Sequence, residues 1–121
     1  MRCFKPKINI KTSLKNDIEE IKDEVVSKVD KDKITYYEKN KTKVIYDYKE
    51  NTLIRDNDDI NMVYTFNRDK ETTGKILVKE LNRELHVKIK TKELKKQNYN
   101  LEIKFKVEDQ NFIYKIEVKE N

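Results

Sequence analysis

Cys3 and His86 are the only cysteine and the only histidine in the chain. A thiol beside an imidazole is the one nucleophile–base pair they offer, and no third residue is marked to orient it. One residue of each kind excludes an internal disulfide, multi-thiolate and His-pair metal sites, zinc fingers, metalloprotease helices and Ser-His-Asp triads. Cys3 therefore reads as an inert or exposed thiol near the terminus, and His86 as a solvated strand residue. Asp47 and Glu50 invite comparison with a paired acid and base, but their spacing on a strand puts them on opposite faces, which argues against a two-carboxylate hydrolase. No enzymatic activity, cofactor or metal is expected.

What remains is binding chemistry. Tyr46, Tyr48, Tyr64 and Phe66, with Phe105, Phe112 and Tyr114, place rings at alternate positions, and an interior of rings with a few hydroxyls suits a small apolar or amphipathic ligand. Glu50 and Arg55 stand at the ends of aromatic strands, where a carboxylate–guanidinium pair would orient such a ligand or lock a rim. The competing reading makes the rings a filled core, since a chain with no alanine and one glycine leaves little room for a lumen. A second candidate is a basic face. Lys88, Lys90 and Lys92, Lys104 and Lys106, and Lys115 and Lys119 would gather there if their three strands are neighbours, and an anionic partner such as RNA would dock on them. Glu102, Glu108 and Glu117 dilute this face, and no outward ring offers a base a stacking platform, so nucleic acid is not the expected partner.

Strands must position these residues. The 121 residues suffice for one domain, 1–121, and 13 Ile and 9 Val beside 7 Tyr and 4 Phe favour extended chain over helix. Charged residues make up 42% of the chain, with a net charge of +5 carried by 24 Lys and only 4 Arg. This balance is thin and lacks the guanidinium forks that read bases or phosphates. The alternation is clearest from Leu101 to Val107, where Leu101, Ile103, Phe105 and Val107 share one face. After a turn at Asp109, Gln110 and Asn111, the row Phe112, Tyr114, Ile116 and Val118 repeats it, which places Val107 near Phe112. Leu85, Val87, Ile89 and Thr91 form another such row, with Asn82 at the tip of the preceding hairpin because Asn tolerates positive φ. Gly74, the only glycine, marks a position of strained backbone.

Asn16 to Val29 carries two patterns. Ile18, Ile21, Val25 and Val29 fit one helical stripe, with Asn16 and Glu19 as a capping box; Ile21, Asp23, Val25, Ser27 and Val29 fit a strand with a carboxylate on its apolar row. About eight short strands with polar connections imply an antiparallel sandwich or an up-and-down barrel, and closure favours the barrel because it removes free edges. The start of the chain has no apolar signal core and reads as a mobile N-terminus over residues 1–5. No stretch approaches the length of a membrane span, so a cytoplasmic protein is expected.

The residues carry a family likeness. Tyr36-Tyr37-Glu38-Lys39-Asn40, Tyr46-Asp47-Tyr48-Lys49-Glu50, Arg55, Phe66 with Gly74, Thr91 with Leu94, and the hairpin from Leu101 to Val118 follow one another in the order and spacing of the bacterial YwiB-like family, which this chain resembles over most of its length. The resemblance implies a calycin-like, lipocalin-like β-barrel and tips Asn16 to Val29 toward strand; it brings no activity, cofactor or catalytic residue. Two departures stand out. Only Asn51-Thr52-Leu53-Ile54 remain where the family has an additional Thr-rich strand, so the barrel is expected to be one strand short or open near Glu50 and Arg55. Asn82 replaces a glycine in its hairpin.

Overall fold

Ile and Val at alternate positions make each segment extended and two-faced, and polar turns fold one segment onto the next. In the computed structural model, which describes residues 6–119, ten strands result: β1 (Lys7–Lys15), β2 (Glu20–Asp30), β3 (Lys33–Tyr37), β4 (Lys43–Asp47), β5 (Thr52–Asp56), β6 (Ile60–Thr65), β7 (Thr72–Val78), β8 (Arg83–Gln97), β9 (Asn100–Val107) and β10 (Gln110–Val118). Every strand pairs antiparallel with its sequence neighbours, and β1 also pairs with β10, closing an up-and-down barrel. No described helix is long and apolar enough to cross a membrane. Cys3 and the expected mobile N-terminus lie outside the described residues.

The strand count corrects the expectation of about eight, and the barrel is neither short nor open near Glu50 and Arg55. Residues 52–56 form β5, with Leu53 fully buried between Tyr46 and Tyr64. Flanking polar residues hide so short an alternation from a sequence reading. The ambiguous segment is strand β2, paired with β1 over Lys7–Lys28 to Lys15–Glu20. Asn16 does accept hydrogen bonds from the amides of Ile18 and Glu19, both at 2.8 Å, as a helix cap would. Here the same acceptor geometry closes a hairpin.

Two local expectations change for steric reasons. Gly74 lies in β7 without positive φ; a Cβ there would stand 2.7 Å from Tyr64 Cδ1 and 2.8 Å from Ile89 Cδ1, so the glycine makes room for a ring. The last hairpin turns at Glu108 and Asp109, with Glu108 at φ 52°, while Gln110 and Asn111 belong to β10. Val107 therefore opposes Gln110, and Phe105 opposes Phe112 with the two rings stacked at 5.4 Å. Asn82 has the expected positive φ, 47°.

Candidate ligand site at one mouth of the barrel

Five turns, those between β1 and β2, β3 and β4, β5 and β6, β7 and β8, and β9 and β10, share one end of the barrel. Of the five large apolar side chains exposed among the described residues, three gather here: Ile18 at 83%, Leu81 at 67% and Leu85 at 44%. Leu85 ends an inward row of register partners that runs Tyr36, Val44, Arg55, Met62, Ile76, Leu85 across β3 to β8. Burial falls along that row, from sealed Tyr36 and Val44 to half-buried Ile76 and exposed Leu85. Inward Leu14, Ile21, Val87 and Phe112 are half-buried as well. The opposite end is stoppered by tyrosines: Tyr48 donates to the Tyr99 carbonyl at 2.7 Å, and its ring meets Tyr46 and Tyr99 edge-on at 4.9 and 5.6 Å.

Under the open mouth lies a polar floor. Glu38 continues the inward alternation of Ile34 and Tyr36 past the end of β3, and Arg55 points inward from β5. The guanidinium grips the Glu38 carboxylate with two bonds, Nη2 to Oε1 at 2.6 Å and Nε to Oε2 at 3.1 Å, both side chains being largely buried. The Tyr36 and Tyr114 hydroxyls share a hydrogen bond of 2.7 Å. Buried Asp23, on β2 opposite Thr12, accepts from the Lys39 amide at 3.1 Å and ties the β3–β4 turn to the neighbouring strand. Glu38 is thus paired with the guanidinium, while Asp23 holds the backbone of the turn.

The expected site residues divide accordingly. Tyr46, Tyr48, Tyr64, Phe66, Phe105 and Tyr114 are buried in the barrel, and Phe112 is half-buried beside Phe105. They touch one another: Phe66 lies 4.7 Å and Tyr64 6.2 Å from Phe105, and Tyr114 6.1 Å from Tyr46. Below the mouth, side chains occupy the interior. Glu50 is a correction: it is exposed in the β4–β5 turn, where its amide donates to Asp47, so Arg55 is paired with Glu38 instead. Glu38, Asp23 and Tyr36 were not singled out as site residues by sequence reasoning. The signal existed, since Asp23 interrupts an apolar row and Glu38 extends one.

The strands that carry the lysine rows, β8, β9 and β10, are sheet neighbours, and three of the seven lysines lie against carboxylates. Lys104 lies 3.4 Å from Glu93, Lys115 3.4 Å from Glu102 and Lys119 3.0 Å from Glu24, while Lys92 donates to Asn111. Lys88, Lys90, Lys92 and Lys106 hold no salt bridge among the described residues. His86 is exposed, 3.3 Å from Glu84.

Burial raises the phenol ionisations of Tyr36, Tyr46, Tyr48, Tyr64 and Tyr114 above the ordinary value of 10.0. The fold favours the neutral phenols, so this stabilisation is whole below pH about 10 and is lost as pH rises beyond it. Alkaline titration followed by phenolate absorbance and circular dichroism together is expected to show these five rings ionising in step with loss of the barrel. Ionisation of all five in a still-folded protein would contradict their burial.

Fold and site define a closed, ten-stranded, up-and-down barrel with a polar floor beneath one open mouth. Among solved structures, the crystal structure of the ywiB protein from Bacillus subtilis is similar to it, with a TM-score of 0.59 and 19% identity over 94% of this chain and 91% of that one. That likeness supports a YwiB-like barrel at the level of the fold. No family model and no curated protein matches the chain.

Proposed function

We propose that this protein is a calycin-like binding protein, not an enzyme, that takes a small amphipathic molecule at the open mouth of its barrel. The observation that carries this reading is the gathering of Ile18, Leu81 and Leu85 around a mouth whose inward residues are half-wet. Exposed apolar side chains on the rim above buried polar groups suit a ligand with an apolar tail. The site is shallow, because packed rings fill the barrel beneath it. A cytoplasmic setting, expected from the sequence, belongs to the same reading.

The polar floor sets the kind of head group. The Arg55 guanidinium is already taken by Glu38, so a carboxylate brought to it would lose its hydration and compete with Glu38 for the same donors. An amine or an alcohol finds acceptors. Calorimetric titration with decylamine, decanol and decanoate, each below its micelle concentration, is expected to rank the first two above the last. The net charge of +5 biases non-specific association the other way, toward decanoate, so the ranking is diagnostic. Tightest binding of decanoate would reverse the head-group assignment, and binding of none of the three would overturn the ligand reading.

The lysine face is the second reading, of a protein that docks an anionic partner such as RNA. With three of its seven lysines held by carboxylates, it offers a scattered rather than a continuous positive surface.

A further inference from the structure

The other two exposed apolar side chains, Val26 at 59% and Tyr37 at 57%, lie on the outside of the sheet. They stand where the ladder between β2 and β3 has ended, since it spans only Lys28–Thr35, Val29–Ile34 and Asp30–Lys33. Beside them an outward row crosses β3 to β6 as the register partners Thr35, Ile45, Ile54 and Val63, all half-buried. Val26, Thr35, Tyr37, Ile45 and Ile54 line a cleft of about 480 Å³. On β9 and β10 the corresponding outward positions are mostly Lys and Glu, so the apolar row is particular to this side.

Charge placement identifies the occupant. On β4, Lys43 and Asp47 lie two residues to either side of Ile45; on β3, Tyr37 and Lys33 lie two residues to either side of Thr35. A two-fold axis along the apolar row, in the plane of the face, sets Ile45 on Ile45 and Ile54 on Ile54. It brings Lys43 of each copy opposite Asp47 of the other, and Lys33 opposite the Tyr37 ring. Lys33 and Lys43 hold no salt bridge among the described residues, and Asp56, across from Lys43, is taken by Lys79 at 3.0 Å. Asp47 uses Oδ1 for the amides of Lys49 and Glu50, which leaves Oδ2 for an external cation. A partner bearing one sign of charge would be repelled by half of this rim. We infer that the outer face of β2 to β5 is a self-association surface and that its occupant is a second copy of this chain.

Sedimentation analysis over a concentration series tests this directly. The protein as it stands is expected to show a reversible monomer–dimer equilibrium. The variant carrying Val26→Glu and Tyr37→Glu, both at exposed positions, is expected to raise the dimer dissociation constant at least about tenfold. Lys43→Glu, which sets like charges opposite Asp47, is expected to weaken the dimer as well, with circular dichroism confirming that each variant is folded. A monomer alone up to about 100 µM, a dimer unaffected by the paired glutamates, or a Lys43→Glu dimer as tight as the parent would each overturn the inference.

Discussion

Arg55→Met is expected to lower the free energy of unfolding by about 3–5 kcal/mol, because it strands the buried Glu38 carboxylate without its only side-chain partner among the described residues. The pair is retained in a medium where neither charge is well solvated, so removing one member costs more than the pair contributes. Joining Glu38→Leu to Arg55→Met removes the stranded charge, and the double variant is expected to recover most of the loss. Urea unfolding of the parent, both single variants and the double variant forms a complete cycle. Losses that simply add would show that the two groups do not depend on each other, against the 2.6 Å contact between them.

Phe105→Ala should destabilise the barrel by a comparable amount, about 3–5 kcal/mol. Phe105 is 1% exposed and lies within ring-contact distance of Tyr64 in β6, Phe66 just past its end, and Phe112 in β10. Truncation leaves a void that a closed sheet cannot collapse to fill, because the strands around it are held by ladders on both sides. The size of the loss distinguishes two kinds of barrel. A packed interior gives the full penalty, whereas a penalty below about 1 kcal/mol would mean that the rings already line open space and that the ligand site runs deep.

Strand alternation was the most legible property of this sequence, and where it is long it located the structure well. Leu101 to Val107 and Phe112 to Val118 read directly as a hairpin, and their inner rows are the buried ones. Legibility failed where an element is short or its signal serves two conformations. Leu53 and Ile54 are too few to display a period, so β5 looked like a missing strand. Asn16 bonds the amides of Ile18 and Glu19 in the same way in a cap and in a turn. Register was harder still. The apolar rows placed Val107 near Phe112, but the two-residue turn pairs Phe105 with Phe112, a choice made by turn backbone at Glu108.

The site was half legible. Its rings were found because aromatic residues at strand spacing are conspicuous, while its charges were assigned to the wrong partner. Glu50 is near Arg55 in sequence, but Glu38 and Arg55 are 17 positions apart, and only β4 between them brings the two onto one floor. Proximity along a chain is a poor guide in a meander, where inward positions two strands apart can meet across the interior. Charge counting had the same weakness. Seven lysines on adjacent strands look like a basic face until Glu93, Glu24 and Glu102 are placed against three of them.

A small amphipathic molecule is proposed to enter at the end carrying the β1–β2 and β7–β8 turns. Amide proton–nitrogen correlation spectra recorded during a titration with decylamine test it most directly. Shifts are expected to concentrate at Ile18, Ile21, Ile76, Leu81, Leu85 and Phe112, with Tyr48 and Tyr99 at the opposite end unmoved. Shifts centred on Tyr48 and Tyr99, or spread evenly over the lysines of β8 to β10, would contradict it.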